Sequence, residues 1–140
     1  MATPPRRFRE FVEFLTEFVS ELNRQAKDEN AAVLVEGKRD RDALVRLGYT
    51  GRVLTRVSLH SQRGFALGGI QRVVILTDLD QEGRRLAGRY AAMLAKRDVE
   101  VSLVERSRLL RASHGTFLHV ENLSRFAPAV PEILNMTSSG

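Results

Sequence analysis

The chain has 140 residues, which is the length of one domain and too short for a multidomain motor or polymerase. It carries 22 Lys and Arg against 17 Asp and Glu, a formal net charge of +5, and most of the cations are arginine. The absence of cysteine excludes disulfides, cysteine-ligated zinc and thiol nucleophiles. No apolar run is long enough for a membrane helix and no signal peptide is visible, so we expect a cytoplasmic protein with no membrane contact.

The first predicted element is an amphipathic helix from Arg6 to Asp28. Its apolar residues, many of them phenylalanine, recur at three- and four-residue steps between glutamates. The Phe-rich stripe over residues 8–22 either packs on its own domain or docks a second copy of the chain or a partner protein, and the sequence leaves both open. We therefore divide the chain into an N-terminal amphipathic helix (1–30), an α/β domain (31–126) and a C-terminal tail (127–140).

Strand and helix patterns alternate through the central region. Apolar runs predict four strands, at 31–35, 52–59, 72–77 and 99–104. Helical spacing predicts three helical segments, at 36–47, 81–97 and 106–111. This alternation predicts an α/β fold with a parallel sheet of about four strands flanked by helices. Within it, Tyr90 has the spacing of a core residue, whereas Tyr49 follows a turn and is expected at the surface.

Acidic residues follow two of the predicted strands. Glu36 comes directly after the first strand, and Asp78 and Asp80 come after the third, with Glu82 two residues further on. Because the carboxyl ends of parallel strands meet at one edge of a sheet, we expect these carboxylates to converge. Converging carboxylates repel one another, which raises a pKa or recruits a hard cation. Oxygen ligands without His or Cys suit Mg²⁺, or Mn²⁺ as a substitute.

Two segments carry a resemblance to a known family. VEGKRD at 35–40 and TDLDQEG at 77–83 resemble the two signature motifs of the Toprim domain, which type IA and type II topoisomerases share with bacterial-type primases and a 5S ribosomal-RNA maturation ribonuclease. The resemblance covers about residues 31–105. The short length and the HVENL segment at 119–123 are similar to small stand-alone archaeal Toprim proteins. A Toprim (Rossmann-like) fold with an extra N-terminal helix is implied.

The resemblance also implies roles for the acids. Glu36 would act as a general acid or base or as a metal ligand, Asp78 and Asp80 would bind Mg²⁺, and Glu82 matches a third acid of type IA topoisomerases. The chain has two tyrosines and no room for a strand-passage gate or for template-handling subdomains, which argues against a topoisomerase or a primase. We therefore expect a Mg²⁺-dependent nuclease on structured RNA or DNA. A non-catalytic metal-dependent nucleic-acid-binding or scaffolding module, and nucleotidyl transfer or nucleotide binding, remain open.

Basic residues near the acid motifs are candidate contacts for substrate phosphates. They are Lys38, Arg39, His60, Arg63, Arg84 and Arg85. Lys38 and Arg84 are equally typical of a solvated surface, and a histidine in the position of His60 is more often an ordinary loop residue. Phe65, in a glycine-flanked loop, is the one attractive base-stacking candidate outside the first helix, which favours recognition of nucleic-acid backbone and shape over sequence reading.

Overall fold

The computed structural model describes residues 5–61, 67–116 and 118–130. Its helices are α1 (Arg6–Asp28), α2 (Lys38–Arg46), α3 (Arg56–Ser61), α4 (Gln81–Ala95) and α5 (Val104–Ser113), followed by a 3₁₀-helix (Val120–Phe126). Its strands are β1 (Ala31–Val35), β2 (Arg52–Thr55), β3 (Arg72–Ile75) and β4 (Glu100–Ser102). The predictions made for Arg63, for Phe65 and for the tail beyond residue 130 lie outside the described residues.

The four strands form one all-parallel sheet in the order β2-β1-β3-β4. This confirms the predicted α/β class. The register places Val35 of β1 beside Thr55 of β2, and Leu34 beside Ile75 of β3. The residues that follow these strands therefore leave the sheet at the same edge.

The sheet buries both of its faces, because β1 is apolar at every position and every residue in it is buried. Val33 and Val35 face a core cluster that also receives the apolar sides of α1, α2, α5 and the 3₁₀-helix. Ala32 and Leu34 point the other way, into a cluster shared with α3 and α4. A continuous apolar run, rather than an alternating one, is what a central parallel strand requires.

Most of the Phe-rich stripe of α1 packs on its own domain. Phe11, Leu15, Phe18 and Leu22 are all at most 9% exposed. The Phe11 ring meets the Phe126 ring of the 3₁₀-helix edge-on, with centroids 4.9 Å apart. α1 is therefore part of the core, as the first of the two interpretations of the stripe expected.

The second and fourth strands are shorter than predicted. β2 stops at Thr55 because Thr55 and Ser58 cap each other: the Thr55 N–H donates to Ser58 Oγ (2.8 Å) and the Ser58 N–H donates to Thr55 Oγ1 (3.2 Å). This reciprocal pair starts α3, so the apolar residues up to Leu59 are helical. β4 ends at Ser102, and the helical segment predicted at 106–111 is part of a ten-residue helix, α5.

One tyrosine prediction was right and the other wrong. Tyr90 lies in the core at 4% exposure, as its spacing predicted, but Tyr49 is also buried, at 3%. The Tyr49 hydroxyl donates to the Arg52 carbonyl (3.2 Å), and burial raises the pKa of this phenol to about 12. The position of Tyr49 after a turn gave no indication that α1 covers its side chain.

Candidate metal and nucleic-acid site

The first acid motif turns the chain from β1 into α2. Gly37 has extended backbone angles and precedes the first residue of α2, and its N–H donates to Asp40 Oδ2 (3.1 Å). Asp40 is only 8% exposed. Burial raises the pKa of Asp40, the nearby Asp78 charge adds to this, and the hydrogen bond from Gly37 opposes it. Asp40 thus fixes the turn that leaves Glu36 at the sheet edge.

The second motif is a tight loop between β3 and α4. Asp80 caps α4 by accepting a hydrogen bond from the Gly83 N–H at its Oδ1 atom (2.7 Å). The buried Thr77 hydroxyl donates to the Gly83 carbonyl (2.6 Å). Gly83 comes so close to the loop that a Cβ placed on it would lie 1.8 Å from the Asp78 carbonyl oxygen. Only glycine therefore fits this close approach of helix to loop.

The two motifs meet through a hydrogen bond between Glu36 and Asp78. The Asp78 N–H donates to Glu36 Oε2 (2.7 Å) across 42 residues of sequence. Partial burial raises the pKa of Glu36 and the charges of Asp78 and Asp40 add to this, while the Asp78 N–H opposes it. A carboxyl with a raised pKa, next to other acids, is the setting in which proton transfer or cation binding occurs.

The structure adds a histidine that the sequence reasoning passed over. Oδ1 of Asp78 accepts a hydrogen bond from the Val120 N–H (2.9 Å), and Oδ2 lies 3.2 Å from His119 Nδ1. The hydrogen bond with Asp78 raises the pKa of His119. One ligand atom each from Asp78, Asp80 and His119 can lie within 4.8 Å of the other two. The signal in the sequence was the HVENL segment, which was noted only as a family likeness.

Arg106 lies beneath the acid loop and had no assigned role. Its guanidinium donates to the carbonyls of Asp78 (2.5 Å), Thr77 (3.3 Å) and Asp80 (3.4 Å). It is 8% exposed, and burial lowers its pKa while the charges of Asp80, Glu36 and Asp78 oppose this. This fixed cation holds the loop backbone in place and offsets part of the carboxylate charge.

The other predicted site residues differ in whether they have a partner within the protein. Glu82 lies outside the cluster of Asp78, Asp80 and His119, on the first turn of α4, where it accepts a hydrogen bond from Arg85 (3.0 Å). Lys38, Arg39 and Arg84 are exposed and form no ion pair within the described part of the chain. Their position beside the acid edge leaves them available to an anionic ligand. His60 lies on α3, with its ring 6.3 Å from that of Tyr90.

The donor set at the acid edge fits a divalent cation. Asp78 and Asp80 supply carboxylate oxygens, the ligands that Mg²⁺ and Mn²⁺ prefer. The His119 imidazole is bonded to Asp78, the arrangement in which a neighbouring group orients a metal-binding carboxylate. Glu36, joined to the Asp78 backbone, lies beside them. Asp78 and Asp80 would hold the ion, with His119 and Glu36 beside them.

A parallel sheet with acids converging at its carboxyl edge, after β1 and β3, defines a class of protein. A family model of the Toprim domain matches residues 30–105, more than half of the chain. The chain therefore belongs to the Toprim domain family. Membership implies a metal-dependent function related to nucleic acid, since Toprim domains bind divalent metal ions.

Relatives of similar sequence include UPF0292 proteins of archaea. The chain is 34% identical over 120 residues to a UPF0292 protein of Methanosarcina barkeri, covering 83% of this chain and 82% of the relative. It is 28% identical over 118 residues to a UPF0292 protein of Methanocaldococcus jannaschii, covering 81% and 90%. Among solved structures, a putative protein from Aquifex aeolicus matches with a TM-score of 0.61 and 24% identity, covering 77% of this chain and 96% of that one. This likeness supports the fold.

Among the described residues, no helix combines the length and the apolar character that a membrane crossing needs.

Proposed function

We propose that this protein is a small Mg²⁺-dependent nuclease that hydrolyses phosphodiesters of structured RNA or DNA. The observation that carries the proposal is the hydrogen bond from the Asp78 N–H to the Glu36 carboxylate. It brings an acid with a raised pKa next to the Asp78–Asp80 pair, so that a proton-transfer group and a cation site share one edge.

In this proposal Asp78 and Asp80 hold the cation, and His119 orients Asp78 through its hydrogen bond. A Mg²⁺ ion held there would supply positive charge that offsets the charge on the phosphoryl oxygens. Glu36 accepts the proton of the attacking water while the bond from phosphorus to the leaving oxygen breaks, and the leaving oxygen takes up a proton from solvent. The raised pKa of Glu36 brings it nearer to the working pH than an ordinary glutamate. Glu82, engaged by Arg85, supports the site from the helix surface.

The substrate backbone is held by cations at the same edge. Lys38 and Arg39 occupy the first turn of α2, where free backbone N–H groups also favour anions. Arg84 lies close enough to Arg106 for their charges to interact, which supports a position beside the acid loop. Contacts of this kind read the phosphate backbone rather than the bases.

The test is incubation with a panel of structured RNAs and DNAs, with Mg²⁺, with Mn²⁺ or with EDTA, followed by mapping of the new ends. Cleavage is expected only with the divalent cation, and Asp78→Asn and Glu36→Gln are expected to abolish it while the far-UV spectrum and Tm remain those of a folded protein. Asp98→Asn is the matched control. Asp98 has a left-handed backbone that asparagine tolerates, and it lies in the turn before β4, away from the carboxyl edge.

Two results would refute the nuclease. Cleavage that persists in EDTA or in both acid variants would exclude this site as the catalyst. Metal-dependent binding of nucleic acid without new ends, across the whole panel, would favour the non-catalytic module, and stabilisation by nucleotides alone would favour nucleotide chemistry.

Docking of a second copy or of a partner protein through residues 8–22 can use only a small part of the stripe. Phe8 is 37% exposed and Phe14 is half-buried, whereas the remaining aromatic residues of α1 are core. A helix that has buried its apolar stripe in its own domain has little area left for a stable dimer. We infer that residues 8–22 do not form a dimer interface, and a mass of about 15.7 kDa in light scattering would support this inference.

A further inference from the structure

A cavity of about 150 Å³ lies between α3 and α4, outside the acid cluster. Two arginines, a histidine, a tyrosine and two apolar side chains line it, namely Arg56, His60, Leu86, Arg89, Tyr90 and Met93. Of these, the sequence analysis singled out only His60 as a candidate phosphate contact. The proposed nuclease site therefore does not account for this cavity.

The cavity is close to the acid edge. Val35 and Thr55 are paired across β1 and β2, so that Glu36 and Arg56 are the next residues of neighbouring parallel strands. The charges of Arg56, Glu36 and Arg89 all act on the pKa of Tyr90, which burial raises. A ligand in the cavity would thus be within electrostatic reach of Glu36.

The two arginines of the cavity are not committed to a protein partner. The guanidinium groups of Arg56 and Arg89 make no hydrogen bond or ion pair with any other described residue, and both side chains are exposed. Glu82 is near both of them, but Arg85 is its hydrogen-bond partner. Two free guanidinium groups facing one cavity form a strong site for phosphate, because each presents a planar fork of N–H donors.

The floor of the cavity is closed by the core of the domain. Leu86 and Tyr90 are 6% and 4% exposed and belong to the cluster beneath the sheet, and Met93 is half-buried beside them. The volume is below the roughly 300–1,000 Å³ of a typical small-molecule site. A group that enters this cavity ends there, so a chain end fits it and a continuous strand does not.

We propose that this cavity binds the terminal phosphomonoester of a nucleic-acid strand, with Arg56 and Arg89 on the phosphate and the apolar floor against the terminal sugar. The orientation of that strand towards the acid edge rests on the proposed nuclease function. The binding itself does not, because none of the lining residues belongs to the metal cluster. The protein would then select substrates by their phosphorylated ends.

The experiment measures binding without metal. Short single strands with a 5′-phosphate, a 3′-phosphate or hydroxyl ends, each with a fluorophore on the opposite end, are titrated with the full chain in EDTA and followed by anisotropy. One phosphorylated end is expected to bind about tenfold more tightly than the hydroxyl end, the gain of one charge-assisted contact. Arg56→Ala and Arg89→Ala should remove the preference. Arg97→Ala, an exposed arginine beyond the far end of α4, should keep it.

The outcomes separate this proposal from the nuclease. Equal binding of all ends overturns the end pocket even if Mg²⁺-dependent cleavage is found, and a clear end preference supports the pocket even if no cleavage occurs. A preference that survives both arginine substitutions also overturns it. Displacement of the strand by AMP at a lower concentration than by the unlabelled phosphorylated strand would assign the cavity to a free nucleotide instead, and would overturn the strand-end proposal.

Discussion

Gly83 offers a sharp test of the loop that carries Asp78 and Asp80. An alanine Cβ at this position would lie 1.8 Å from the Asp78 carbonyl oxygen and 2.5 Å from the Asp78 carbonyl carbon. Ordinary van der Waals contact begins at 3.4 Å, so the helix and the loop would have to separate by about 1.6 Å. The obstacle is backbone rather than a flexible side chain, and it cannot turn aside.

The separation would break contacts whose cost can be approximated. Over-packing costs about 1–3 kcal/mol, loss of the Asp80 cap about 0.5–2 kcal/mol, and loss of the buried Thr77 bond about 1–3 kcal/mol. Because these contacts share one movement, we expect Gly83→Ala to lower the free energy of unfolding by about 3 kcal/mol or more. That is a large part of the roughly 5–15 kcal/mol of a typical domain.

The matched control is Gly88→Ala in the same helix. A Cβ on Gly88 meets nothing within 4 Å, and its backbone is helical. Alanine there should raise the free energy of unfolding by about 0.5–1 kcal/mol, through helix propensity alone. Urea denaturation followed by circular dichroism measures both variants. A Gly83→Ala protein within 1 kcal/mol of the wild type, or two variants that shift in the same direction, would show that the loop does not have this geometry.

Three further predictions concern other parts of the molecule. Arg106→Met should lower the free energy of unfolding by about 2–4 kcal/mol, because it leaves buried loop carbonyls without donors. A urea denaturation curve identical to that of the wild type would contradict its positioning role. In EDTA, the raised pKa of Glu36 means that its contribution to stability is present below the unfolded pKa of about 4.3 and is lost as pH rises through the higher folded pKa. Wild type should therefore lose stability relative to Glu36→Gln as pH rises above about 4.3, and a difference in Tm that stays constant with pH would argue against the raised pKa. Deletion of residues 1–30 removes at least four buried large side chains, and the burial of each stabilises the fold by about 1.5–3 kcal/mol. The shortened chain should therefore be unfolded by circular dichroism. A folded product would show that α1 is not part of the core.

The sequence predicted well what depends on local pattern. The continuous apolar run of β1 and the Phe-rich periodicity of α1 each have one structural solution, and both appear with the predicted bounds. The difference between the predicted and the observed end of β2 has a local cause as well. The alternation from Val53 to Leu59 resembles a strand, but the Thr55–Ser58 pair competes for the backbone and starts a helix there. The end of β2 and the start of α3 are therefore set by a side-chain cap, which the hydrophobic pattern alone does not indicate.

The site shows where pattern reasoning ends. Glu36, Asp78 and Asp80 could be expected to converge, because these acids stand directly after strands whose carboxyl ends meet at one edge of a parallel sheet. His119 and Arg106 follow no such rule. His119 is 41 residues from Asp78, and Arg106 projects inward from a helix whose composition reads as a solvated basic surface. Both reach the acid loop only because α5 and the 3₁₀-helix fold back over the carboxyl edge. Their partners are backbone carbonyls and a carboxylate, and such contacts produce no periodic pattern in the sequence. The residues that prepare this site are thus less visible in sequence than the residues that would hold the ion, and Arg106→Met tests that preparation directly.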